Sequence, residues 1–392
     1  MKPWYHKIRK YVVAALISLG VLVLSYVVNN SSIPRPDELK VLRIVDGWKS
    51  LNGRAHDNVP DSLLFINVCY DKQLVDYYEE GFHVGHYAIT DRGKLLQLLS
   101  KAHETDSYRY IMLDVIFEHG MSSPYDSALF ALIEQMPRIV VAAHHNTALQ
   151  DDALWSKAGL ADYTTTYKDS DFSLFQFRRD SLLSMPLRMY QELTGRDIRR
   201  HGILYADGGH LCRNSITLQQ PIRMNGVFHD HDSLLREKNY LYLGADLLAI
   251  DSLVPVVDQM HGKIVVVGDF NSDRHNTYVG SQPGSVICIN AYNALCRHDH
   301  YINWWFVAFL FLFYATIVVF RINGWSLPQL VRWVPLRMLL QLLSVPTLML
   351  LVALVAYLCG IVYNFYVATI IYWAGGALYN LLKHTTNEIT TT

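Results

Sequence analysis

At 392 residues the chain is long enough for two or three domains. Its formal net charge of −1, with Lys and Arg gathered on no stretch of the polar part, excludes nucleic acid as an expected partner. Hydrophobic residues make up 51% of the chain, and they fall in long uncharged blocks at its two ends rather than evenly.

The first ten residues carry Lys2, Lys7, Arg9 and Lys10 and no acid. Tyr11–Val28 follows without a charge, and about 20 apolar residues cross a bilayer as a helix. Residues 11–28 are therefore predicted as transmembrane helix 1. The stretch is longer than a usual signal-peptide core, and Asn29-Asn30-Ser31-Ser32 offers no small-x-small cleavage site. It reads as a retained signal anchor, ahead of a polar extracytoplasmic domain over 29–301.

Ser32–Asp61 forms the lead-in, with a loose amphipathic pattern over Glu38–Leu51. Leu63–Cys69 reads as the first strand, ending at Tyr70-Asp71. Thr90 or Asp91 caps a helix with an apolar stripe of Leu95, Leu96, Leu98, Leu99 and Ala102. A second strand, Tyr110–Leu113, ends in Asp114. Ser123-Pro124 predicts a helix start, with Ser as cap and Pro in the first position, running to about Met136. The third strand, Ile139–Ala143, ends in His144-His145.

Thr147–Phe177 reads as an irregular insertion with extended pieces, and Ser184–Glu192 as a helix closed by Gly195. Gly202–Asn239 suggests short strands. Leu241–Ile250 starts extended and becomes a short helix. The stretch from His261 to Ala294 organises the rest: a strand of β-branched residues at Lys263–Val267, a polar loop, then an apolar helix. The alternation predicts an α/β domain with a mostly parallel sheet and helices on both faces.

The C-terminal part adds Ile302–Phe320 and Met338–Leu382, the latter split at Cys359-Gly360. The expected plan is four transmembrane helices, one N-terminal and three C-terminal. The last three lie at 302–320, 338–358 and 363–382, with a loop over 321–337 and a tail over 383–392. Basic residues cluster in 1–10, 321–337 and at Lys383, so both termini are expected to be cytoplasmic and 29–301 periplasmic, in a bacterial inner membrane. Gly375-Gly376-Ala377 offers small residues for close helix approach, against the neighbouring spans or against a partner or second copy.

Cys69, Cys212, Cys288 and Cys296 lie outside the membrane. Cys288 and Cys296 share a helix face about 12 Å apart, too far to bridge. Buried free thiols are expected.

Asp71, Asp114, His144, Asp269, Asp273 and His275 all sit at or just past strand ends, where an open parallel sheet puts its ligands. Such groups can bind a cation or poise a general base. Asp at a strand end more commonly caps the next helix. The candidate ligand-binding residues are Asp71, Asp114, Asp269, Asp273, His275 and Thr277, with Gly268 and Gly280 as backbone requirements. No catalytic residue and no cofactor is expected, and the metal question stays open.

Two resemblances bear on function. Gly268–Asn271, GDFN, resembles a motif of the endonuclease/exonuclease/phosphatase superfamily, which would imply metal-dependent phosphohydrolysis. Ser272-Asp273-Arg274-His275 follows it at once. Over 1–382 the chain resembles the type-two CHASE family of extracellular sensory domains. The motifs in order are Phe65–Asp71, Asp91-Arg92, Ile111–Phe117, Asp126–Leu129, Gly262-Lys263 with Val265–Gly268, then Asp273, His275, Thr277 and Gly280, and Gly284–Ala291. The resemblance implies a sensor of a small ligand, ion or periplasmic partner. Ten residues follow the last span, so the signal is expected to pass through the bundle to a separate membrane partner, or the chain to act as a scaffold.

Overall fold

A computed structural model describes residues 3–31, 33, 36–52, 60–146, 148–165, 172–224, 239–244, 258–323, 334–335, 353–355 and 357–358. The expected spans at 338–358 and 363–382 lie outside the described residues, apart from the few positions named. So do most of the loop at 321–337, the tail, Gly375-Gly376-Ala377 and the helix expected after Gly244. The chain divides into two units: 1–48, 200–217 and 300–392 form the first, and 49–199 with 218–299 the second.

The second unit is built on a six-stranded sheet. Its strands are β1 (Leu63–Asn67), β4 (Tyr110–Asp114), β5 (Ile139–Ala143), β6 (Ala158–Leu160), β9 (Tyr240–Tyr242) and β10 (Ile264–Gly268). Their order is β9-β1-β10-β4-β5-β6, and every neighbouring pair is parallel. All of β1, β5 and β10 is buried, as continuous apolar runs demand when helices cover both faces. β10, the organising strand, is central between β1 and β4.

Alternate residues divide between the two faces. Leu64, Ile66, Ile111, Leu113, Val265 and Val267 pack with α3 (Arg92–Thr105) and α4 (Asp126–Gln135). Tyr110 points to the other face, where its hydroxyl donates to Glu192 of α5 (Met185–Thr194) at 2.7 Å. α6 (Gly284–Cys296) shares that face, and at Gly268 a side chain would collide with Ser285.

Local signals place the helix starts. Asp91 caps α3 by accepting from the Lys94 amide at 3.0 Å, and Ser184 caps α5, which Gly195 closes at φ +71°. The start expected at Ser123-Pro124 is corrected: α4 begins at Asp126. Ser123 to Tyr125 form a turn, in which the Asp126 amide donates to the Ser123 carbonyl at 3.1 Å. The Asp126 carboxylate accepts the Ser123 amide at 2.6 Å and also faces the buried Arg92 at 3.6 Å. That side chain, not the serine, fixes the helix start.

Between β1 and α3 the chain makes an antiparallel hairpin, β2 (Lys72–Glu79) and β3 (Phe82–Thr90), which the sequence pattern does not announce. A second hairpin, β11 (Arg274–Thr277) and β12 (Gly280–Pro283), fills the loop between β10 and α6.

In the first unit, α1 (Pro3–Asn29) and α7 (Trp304–Ile322) pack through Val21, Phe306, Leu310 and Tyr314. Ser25 and Tyr314 exchange a hydrogen bond at 3.3 Å. Among the described residues one helix, Tyr11–Asn29, is long and apolar enough to cross a membrane, and the apolar part of α7 is shorter, Trp304–Phe320. The amphipathic lead-in is a helix, α2 (Pro36–Leu51), with Leu39, Leu42 and Val45 buried. β7 (Leu204–Asp207) and β8 (His210–Cys212) form a hairpin that grips the end of α1. The Tyr26 hydroxyl donates to the Cys212 carbonyl and accepts the Tyr205 amide, each at 2.8 Å. The Asn30 side-chain oxygen accepts the Asn214 amide at 2.6 Å.

Cys69, Cys212 and Cys288 are buried free thiols as expected, whereas Cys296, also free, is exposed.

Candidate functional site

Asn67, Gly268 and Asp114 stand side by side at the carboxyl ends of β1, β10 and β4. β1 leads on to α3 on one face, while β10 leads to α6 on the other. A crevice outside the strand ends, where successive connections part, is the usual ligand position of such sheets.

On the β4 side the polar residues converge. The Asp114 carboxylate accepts the Ser285 hydroxyl of α6 at 2.6 Å. His275 Nε2 lies 2.8 Å from Asp273 Oδ1, and its Nδ1 pairs with the Tyr163 hydroxyl, the two rings meeting edge-on at 4.8 Å. The Asp273 carbonyl accepts the Gly284 amide at 3.0 Å, which satisfies an end group that Pro283 has no side chain to cap. A side chain on Gly284 would come within 2.5 Å of the Asp273 carboxylate, so glycine is what lets that carboxylate lie over the helix start. Negative charge is favoured there by the helix dipole. One strand further, His144 Nδ1 is 3.2 Å from Asp162 Oδ1, and Asp162 Oδ2 accepts the His145 amide at 2.7 Å.

The electrostatics of this group are strained. Burial pushes the Asp114 carboxyl up to about 6, and the neighbouring Asp273 pushes the same way. The Ser285 hydroxyl, His144 and His275 pull against them. Hydrogen bonding to Asp162 raises His144 against burial. Burial would raise Asp162, but its bonds to His144 and to the His145 amide outweigh it and hold the carboxyl below its ordinary range. Burial, reinforced by Asp114 and Asp273, drives the Cys288 thiol well up, which removes it as a nucleophile at neutral pH.

On the β1 side the carboxylates are already engaged. Asp71 accepts Lys94 Nζ at 2.6 Å and the Gly244 amide at 2.9 Å. Asp269 accepts Lys72 Nζ at 2.9 Å, and its other oxygen takes the amides of Asn271 and Ser272 at 3.2 and 2.8 Å. The Asp of GDFN thus ties down its own loop. Asn67 holds that loop from below, accepting the amides of Cys69 and Phe270 at 3.0 and 3.2 Å. Thr277 closes the β11–β12 turn by donating to the Gly280 carbonyl at 2.7 Å.

Of the six residues expected to bind ligand, Asp114, Asp273 and His275 are brought together, with His144 beside them. Asp71 and Asp269 form ion pairs across the adjoining strand end, and Thr277 goes into a turn. Asp162, Tyr163, Ser285 and Asn67 were not expected. Asp162 and Tyr163 follow the three-residue β6 inside a stretch without periodicity, and Ser285 sits in an apolar helix. Only Asn67, a polar residue ending an apolar strand, carried a readable signal.

A parallel α/β domain with a polar cluster at its carboxyl edge, in a chain that also carries an apolar helix of spanning length, has the makings of a membrane-associated recognition protein. The CHASE2 domain family matches residues 41–323, and the chain belongs to that family, whose members are extracellular sensory, non-catalytic domains. No curated protein and no solved structure matches the chain. Three motif stretches of the resemblance meet in the fold. Arg92 of Asp91-Arg92 lies buried over Phe117 at 4.1 Å and faces Asp126 of the Asp126–Leu129 helix, so this part of the pattern serves packing.

Proposed function

We propose that the chain is a membrane-anchored sensor whose extracytoplasmic domain binds a small ligand bearing a positive charge at the Asp114–Asp273 edge of its sheet. The observation that carries this reading is the convergence of Asp114 and Asp273 at a buried helix start, where burial first and the repulsion of Asp273 second raise the Asp114 carboxyl to about 6. A cationic group placed between them relieves that repulsion, and the imidazoles of His144 and His275 supply further hydrogen bonds. Asp71, Asp269 and Thr277 shape the rim rather than touch the ligand.

The signal leaves by α6. Ser285 in its first turn is bonded to Asp114, and α6 is followed seven residues later by α7. A ligand that alters the Asp114–Ser285 contact shifts the equilibrium only by its differential affinity for the two states. The recipient is a separate protein in the same membrane, met through α1, α7 and the C-terminal spans. An inner-membrane site with both termini cytoplasmic fits the basic clusters of the sequence.

The test is thermal unfolding of the full chain in detergent at pH 7.5 against primary amines, guanidinium compounds and inorganic cations. A stabilising compound whose effect is lost in both Asp114→Asn and Asp273→Asn supports the reading. Stabilisation that survives both substitutions contradicts it.

A further inference from the structure

The hairpin β2–β3 carries a feature that the sheet edge does not use. Asp76, His83 and His86 are all exposed, and one donor atom from each lies within 4.8 Å of the others. Asp76 Oδ1 is 3.3 Å from His83 Nε2 and 2.9 Å from His86 Nδ1. The imidazole rings of His83 and His86 meet at 5.5 Å.

Strand geometry alone forbids this grouping. Residues 83 and 86 are three apart, and in a regular strand an odd spacing sends side chains to opposite faces. The register shows how the chain avoids that. Asp76 pairs with His86 and Tyr77 with Gly85, but Tyr78 pairs with His83, so Val84 is an extra residue opposite no partner. This bulge returns His83 to the face that Asp76 and His86 share. Gly85, at φ +153°, supplies a backbone conformation that other residues rarely adopt.

We propose that this face of the β2–β3 hairpin is a transition-metal site of the zinc class, with Asp76, His83 and His86 as ligands. Zinc takes imidazole nitrogen and carboxylate oxygen at about 2.0–2.2 Å, and tetrahedral donors around it stand roughly 3.3–3.6 Å apart, inside the separations seen here. Two imidazoles and one carboxylate select zinc, copper or nickel over magnesium or calcium, which prefer all-oxygen shells. Three protein ligands leave a position open to water or a further donor. β2 begins at Lys72, the partner of Asp269, so a metal that stiffens the hairpin also bears on the rim of the sheet-edge site.

The test uses Zn2+ alone, titrated calorimetrically into the full chain in detergent, with Cu2+ as the spectroscopic probe. One equivalent of Zn2+ is expected, lost in His83→Ala/His86→Ala and weakened at least tenfold in Asp76→Asn, which keeps the side-chain shape. The electron paramagnetic resonance spectrum of bound Cu2+ should show coupling to two imidazole nitrogens, falling to one in His86→Ala. Equal uptake by the wild type and the double variant overturns the proposal. So does a loss confined to His144→Ala or His275→Ala, which would put the metal at the sheet edge instead.

Discussion

Burial displaces the Asp114 carboxyl well above its ordinary range, and the sign of its effect can be worked out. Its carboxyl titrates near 6 in the fold against about 3.9 in an unfolded chain. A group whose folded value is raised contributes stability that is present below the unfolded value and lost as pH rises through the folded one. At pH 7.5 the native state therefore carries an unfavourable charge. Asp114→Asn keeps an acceptor for Ser285 and removes that charge, so it should stabilise the full chain by about 1–3 kcal/mol at pH 7.5. Unfolding measured from pH 8 down to pH 5 should show the gain shrinking steadily below pH 6. A pH-independent gain would mean that Asp114 is not the strained group. The neighbouring Asp162 behaves oppositely. Its depressed value supplies stability above about 4 that is lost in acid, while raised His144 supplies stability below about 6.5 that is lost as pH rises.

Among the elements, the buried pair Arg92–Asp126 links α3 to α4. Burial lowers Arg92 to about 10 even with Asp126 beside it, so the guanidinium depends on its partner. Asp126→Ala should cost about 3–5 kcal/mol by leaving that charge uncompensated, and adding Arg92→Met should recover much of the loss. Equilibrium denaturation of the single and double variants measures this directly. At Gly268 a side chain would strike Ser285, so Gly268→Ala should push α6 away from the sheet at a cost of about 1–3 kcal/mol. The same change should raise the Asp114 carboxyl further, because it loses the Ser285 donor that holds it down. A titration of the Asp114 carboxyl by NMR that shows no change would contradict the contact.

The elements that the sequence announces are those buried on both faces. β1, β4, β5 and β10 are unbroken apolar runs, and α3 has an Asp cap followed by a leucine stripe, so burial and capping speak with one voice. The β2–β3 hairpin was silent because its strands are largely exposed: of their apolar residues only Val75 and Ile89 are buried, too few to mark a period. The start of α4 was misplaced because Ser-Pro satisfies local capping rules, while the deciding partner, Arg92, is 34 positions away in the chain. The site divides the same way. Asp114, Asp273 and His275 are legible as polar residues ending strands or following them. Asp162, Tyr163 and Ser285 become site residues only when β6 and α6 are placed in space.

At the scale of the molecule, the proposed sensor needs a polar α/β unit displayed outside a membrane by apolar helices. Tyr11, Leu16, Leu19, Trp305 and Leu312 expose large apolar side chains along α1 and α7, a surface that suits lipid rather than water. The grip of Tyr26 and Asn30 on the β7–β8 segment ties the end of α1 to polar chain. Tyr26→Phe should remove two hydrogen bonds there and loosen that end, visible as faster amide exchange at Tyr205.

The most direct test is where the α/β unit lies. Glu104→Cys puts a thiol on the exposed part of α3. Intact cells expressing it should gain labelling by a membrane-impermeant maleimide over cells expressing the unsubstituted chain. Labelling that appears only after the membrane is broken would place the domain inside the cell and contradict the account.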